Sequence, residues 1–244
     1  MSANQVLALD PSECKLDPRT GSLPCRLPRV TDSVLRVATV TAQDLLRSAD
    51  DVLGLLRSAE GEDWSVPATG LKWTCRETVE HMADSTFTLA GQLGPRPPVD
   101  DWVAFGWSRR RDKGLGSTIY GLDDASAEQL CQVVDSTTGM LAALVETRPP
   151  SWRAYTAWGG ESDPEGFCAM GVVELIVHLY DVSEPLGINW TPDEDVCDRV
   201  LRRLSTDAPT RTPRWATLLW ATGRGDIEGR DRLTEWAWDG RTRS

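Results

Sequence analysis

The stretch from Pro164 to Pro185, PEGFCAMGVVELIVHLYDVSEP, limits what this chain can become. Proline at each end brackets one helix, with Gly187 just past the stop. Between them nearly every position is apolar, so the segment is built to be buried. It nevertheless carries Glu174 and, four places later, His178. On a helix these two point the same way, and Phe167, Met170, Gly171 and Asp181 fall on or beside that face. An ionised carboxylate buried without a partner is costly enough that something must compensate Glu174. A divalent metal would do so, since carboxylate oxygen and imidazole nitrogen from adjacent turns are common zinc ligands. A direct hydrogen bond between the two in a dry core is the competing reading.

The remaining helices follow from apolar spacing and caps. Residues 31 to 59 place Val34, Leu35, Val37, Val40, Leu45, Leu46, Val52, Leu53 and Leu56 at helical intervals, which predicts one long amphipathic helix. A second opens at Thr74, with Glu77 at capping-box spacing, and a third at Ser126, with Gln129, stopped by Pro149 and Pro150. Further helices are predicted from about Pro192 to Leu204 and around PRWATLLWATG, followed by a strand or extended tail at RLTEWAWDG. The fold expected is mainly all-α: a four-helix bundle with long inter-helix loops and short strands. Its organisation reads as an irregular arm over 1–30 with a short strand at VLAL, a bundle over 31–190, and C-terminal helices and tail over 191–244 packed on it as one domain.

Composition narrows the partners. The chain has 244 residues, 40% of them apolar, enough to bury the core of one large domain. Lysine plus arginine is 26 against 37 aspartate plus glutamate, a net charge of -11, so nucleic-acid backbones and anionic membrane surfaces are poor partners. A small-molecule substrate and a monomer or homodimer are expected instead. With no basic, apolar leader at the N-terminus and no uncharged run of spanning length, a cytoplasmic location is expected. Six cysteines (Cys14, Cys25, Cys75, Cys131, Cys168, Cys197) show no C-x-x-C spacing and read as reduced, mostly packed thiols, with Cys14 and Cys25 in an exposed Pro-rich segment.

The chain holds only two histidines, and the other, His81, lies beside the apolar stripe of the second helix. In a bundle, helices two and four bring such side chains together in the core. Each histidine is followed three residues later by aspartate, Asp84 and Asp181, which would either fix a second ring nitrogen or lie as surface carboxylates. The run Arg109, Arg110, Arg111 and Lys113 is conspicuous in an acidic chain; it would hold a substrate carboxylate or else lie as a solvated loop. Arg224 is a further candidate substrate contact. Trp102, Trp107, Trp152 and Trp158 sit in loop-rich segments, where they would wall a pocket or simply pack.

The pattern W-x-x-R-E-x-V-x-H-x-x-D from Trp73 to Asp84, with DPEGFCAMGVVELIVHLYDV and LLWATGRGDIEGRDRLTEWAWD, resembles the mycothiol-dependent maleylpyruvate isomerase branch of the DinB-like superfamily over residues 31 to 240. That resemblance implies a four-helix bundle holding a divalent metal, usually zinc, through His81, Glu174 and His178, and a thiol cosubstrate such as mycothiol. The named isomerase has a sizeable second domain, whereas only 66 residues follow His178. No substrate-binding arginine is carried over from that domain. The tail is similar to that of actinobacterial relatives without an assigned reaction. Three protein ligands leave a fourth position for a thiol, giving a transferase or isomerase, or for water, giving a metal-dependent hydrolase. A non-catalytic bundle that keeps the metal as a structural pin, in binding or stress response, is the third reading.

Overall fold

In the computed structural model, residues 39–112, 114–156 and 160–242 are described. The expected N-terminal arm, its VLAL strand, Cys14, Cys25, Lys113 and Trp158 lie outside these residues. Six α-helices and two short antiparallel ribbons follow one another: α1 (Ala42–Ser58), α2 (Cys75–Leu93), β1 (Ser108–Arg109), β2 (Gly116–Ser117), α3 (Ala127–Thr147), β3 (Ala154–Thr156), β4 (Gly160–Ser162), α4 (Pro164–Ser183), α5 (Glu194–Leu204) and α6 (Arg214–Ala221). Mainly helical structure is therefore what the chain adopts.

Local chemistry starts each bundle helix where it does. Thr41, Thr74 and Ser126 each accept from the third backbone amide of their helix, while Asp44, Glu77 and Gln129 reach back to the cap amide. Asp163 caps α4 by accepting from Gly166 N at 2.9 Å, with Pro164 occupying the first turn. The expected single helix over 31–59 needs correction. Thr39 and Val40 are not helical, and the Thr41 capping box sets the start at Ala42; residues 31–38 lie outside the described ones. Apolar spacing could not show that stop, because Val40 stays buried in the core without being helical.

Helices α1, α2 and α3 pack on α4, and α1 and α2 both pack on α3. Sixteen of the 20 residues of α4 are buried, so it is the core of the bundle rather than an amphipathic wall. By length and composition α4 would also suit a membrane span, but 83% of its apolar window is buried inside the protein. Gly171 permits a close approach of three helices: a Cβ there would lie 2.7 Å from Leu141 Cδ2 of α3 and 3.2 Å from Leu45 Cδ1 of α1. Helix α5 packs on α4 and on α6.

The segment between α2 and α3 is stitched to α2 by a stripe of acidic residues on successive turns. Glu77 takes Arg111 Nη2 at 2.6 Å and Nε at 2.8 Å, and Glu80 takes Arg110 Nη1 at 2.7 Å. Asp84 Oδ1 accepts from the amides of Thr118 at 2.7 Å and Ile119 at 3.0 Å. These positions are three and four apart, so one helix face anchors the whole excursion.

Truncating the fully buried Leu45 to alanine should cost about 2–5 kcal/mol, because α4 cannot close onto the gap. Thr41→Ala should cost only about 1 kcal/mol through the lost cap. Urea unfolding followed by far-UV circular dichroism measures both.

Candidate metal centre

Glu174 and His178 come from the middle of α4, and His81 from the second turn of α2. One ligand atom from each lies within 4.8 Å of the others. Glu174 Oε2 is 3.4 Å from His81 Nε2 and 3.3 Å from His178 Nε2. Those separations are long for charge-assisted hydrogen bonds, which run about 2.7–2.9 Å. They match the ligand-to-ligand edge of a tetrahedron around a zinc-sized ion, about 3.3–3.4 Å for bonds of about 2.0–2.1 Å. The donor set of two imidazoles and a carboxylate thus suits a divalent metal. Among the described residues no cysteine or aspartate joins the three.

The surroundings hold each ligand differently. Asp181 Oδ2 lies 2.8 Å from His178 Nδ1, which turns Nε2 toward Glu174. Arg224 clamps the same aspartate through both carboxylate oxygens, Nε to Oδ1 and Nη2 to Oδ2, each at 2.8 Å. It reaches there because Gly223, at φ 72°, turns the chain sharply after α6. The guanidinium also lies 5.5 Å from the Trp236 ring. Arg224, expected as a substrate contact, is thus committed to orienting His178.

Asp84 likewise departs from its expected place. It does not support His81: its Oδ1 is taken by the excursion, and burial pushes its carboxyl up against those two amide bonds. His81 Nδ1 is buried with no hydrogen-bond partner among the described residues. His81 is placed instead by Trp73, whose ring is 4.9 Å away, and by Ser85, whose Oγ lies 3.3 Å from Nε2. Ser85 Oγ also donates to Glu174 Oε2 at 3.0 Å. The only sequence signal for Ser85 was its position one turn after His81.

Arg110 and Arg111, in the run read as a carboxylate site or a solvated loop, spend their guanidiniums on Glu80 and Glu77. Arg109 stacks 5.0 Å from the Trp107 ring along an open depression of about 530 Å³ that also touches Trp73 and His81. A second, narrower cavity of about 250 Å³ opens directly on His81 and Glu174. Its walls include Leu89, Trp102, Tyr155, Phe167, Met170 and Trp238. Trp152 stacks with Arg148 at 4.6 Å and lines neither space.

The profile of the DinB superfamily matches residues 44–182. The chain belongs to the DinB superfamily. Members of this superfamily are metal-binding, and the match runs from α1 through α4, so it includes His81, Glu174 and His178 and stops short of Arg224. No curated protein and no solved structure matches the chain.

Without metal the site titrates in an unusual range. Burial alone would push Glu174 up, but the two facing imidazoles hold it well below the usual carboxylate range. Burial would lower His178, yet the bond to Asp181 and the nearby Glu174 raise it from 6.5 to about 9. The folded state therefore holds this proton where the unfolded chain has released it. His178 stabilisation is complete below pH 6.5 and is lost as pH climbs through about 9. Denaturation midpoints of chelator-stripped protein should fall between those two pH values, and His178→Gln should flatten that decline.

Proposed function

We propose that the chain is a divalent-metal enzyme that activates a small thiol for attack on an electrophilic small molecule, in a thiol transfer or an isomerisation. The observation that carries this reading is the placement of three ligand side chains at the end of a cavity, with His81 and Glu174 forming part of its lining. A metal kept only as a pin has no need of such a space. Zinc is the ion the nitrogen-rich donor set favours. His81, Glu174 and His178 would hold it, and when bound it supplies the Lewis acidity that makes a thiol, or a water, nucleophilic at neutral pH.

The chain's own residues do the rest. Asp181 and Arg224 fix the His178 ring, so that Nε2 keeps its lone pair directed at the site. Ser85 restrains the Glu174 oxygen nearest both imidazoles. The aromatic and aliphatic walls give the reacting groups a mostly apolar surrounding. The thiol must come from outside the described residues, for their four cysteines are buried and poor nucleophiles. Burial pushes Cys75 and Cys131 up to about 11 and Cys197 to about 12, and Cys168 higher still. A low-molecular-weight thiol of the mycothiol type fits this requirement and the family resemblance.

His178→Ala should abolish stoichiometric zinc in elemental analysis of the purified protein; unchanged metal content would rule the ligand set out. Arg224→Ala should leave the fold intact and weaken zinc affinity about 10–100-fold, read by chelator competition, with Arg224→Lys recovering part of the loss. Mass spectrometry of the protein incubated with a small thiol and an electrophile-containing extract should show a thiol adduct that disappears on chelation. An intact metal with no adduct would instead favour the hydrolytic or non-catalytic reading.

A further inference from the structure

We infer that the cavity at the candidate metal centre receives an uncharged, ring-sized apolar molecule and turns carboxylates away. This names a substrate class and rests on the reading of the site as catalytic. Size is the first constraint. An apolar cavity of about 150 Å³ is known to hold benzene, so about 250 Å³ accommodates a substituted ring and little more. Shape is the second, since Trp102 and Tyr155 meet edge to face, with centroids 5.9 Å apart, and Phe167, Met170 and Leu89 contribute further apolar surface.

The polar lining decides the charge. Gln92 is largely engaged: its Oε1 accepts from Val103 N at 2.6 Å, and one N–H of its Nε2 donates to Tyr155 O at 3.4 Å. Thr156 Oγ1 donates to Gly160 O at 3.1 Å. The ionisable side chains on the lining are Asp84, Glu174 and His81, the last facing Glu174, and among the described residues no lysine or arginine lines it. Of the three arginines of the neighbouring run, Arg110 and Arg111 are paired with Glu80 and Glu77, and Arg109 lies over Trp107 in the other depression. A substrate carboxylate would give up its water beside Asp84, with no lysine or arginine to receive it, and the imidazoles are already turned to Glu174. A hydroxyl on a neutral ring meets no such penalty and can donate to Asp84, whose Oδ1 alone is occupied by the excursion amides. A divalent ion on His81, Glu174 and His178 would attract a carboxylate, so the preference is tested most severely with the ion present.

The matched pair 4-nitrobenzyl alcohol and 4-nitrobenzoate separates these terms, titrated calorimetrically into the zinc-loaded full-length chain. The alcohol should bind at least about tenfold more tightly than the carboxylate, a difference of about 1.4 kcal/mol. Leu89→Trp, which fills the cavity, should remove alcohol binding while zinc content stays unchanged; Thr88→Trp serves if that variant does not fold. Carboxylate binding as tight as the alcohol's, absence of alcohol binding to the wild type, or alcohol binding that survives the filled cavity would each overturn the inference. If zinc never binds, the catalytic reading fails by itself, and the same pair measured on that protein still reports the preference of the cavity.

Discussion

The centre of this bundle is arranged around one largely buried carboxylate. Glu174 sits in a helix whose other faces are sealed by three neighbours, and its side chain is 12% exposed. A lone anion there would be intolerable, so two imidazoles and a hydroxyl converge on it from two helices. Those groups neutralise the charge without filling the space between them, and the separations left are those of metal ligands rather than of tight hydrogen bonds. Electrostatic necessity and metal-binding geometry are here the same constraint.

That constraint propagates outward in two unequal chains. Behind His178 a continuous series of bonded groups runs through Asp181 to Arg224 and its neighbour Trp236. Behind His81 there is none among the described residues, and the ring is held by the face of Trp73 and the reach of Ser85. The side chain of His81 is also the more open of the two, 23% exposed against 10% for His178. The site therefore has a rigid ligand in the core and a more compliant one beside the two surface openings.

Much of the fold was legible because it depends on short-range rules. The capping residues at Thr74 and Ser126, the proline brackets of α4 and the four-residue spacing of Glu174 and His178 all act within one or two turns. The pairing of His81 with α4 was legible for a different reason: with only two histidines in the chain, a bundle leaves few ways to satisfy a buried glutamate. What could not be read was where long side chains go. Arg110, Arg111 and Arg224 looked like free cations able to meet a substrate, but each found a carboxylate distant in sequence, and spacing carries no information about such partners. The start of α1 was missed because helical spacing continues through Val40 as a core residue that is not helical.

The acidic stripe on α2 has a mechanical meaning beyond holding a loop down. Asp84 lies three residues from His81 on the same rigid helix, and the same excursion contributes Trp102 to the cavity wall and Trp107 to the neighbouring depression. One cavity is therefore walled by both helices that supply the candidate ligands, α2 through Leu89 and α4 through Phe167 and Met170. The wall of the cavity and the helix that carries His81 are thus tied through the same few hydrogen bonds.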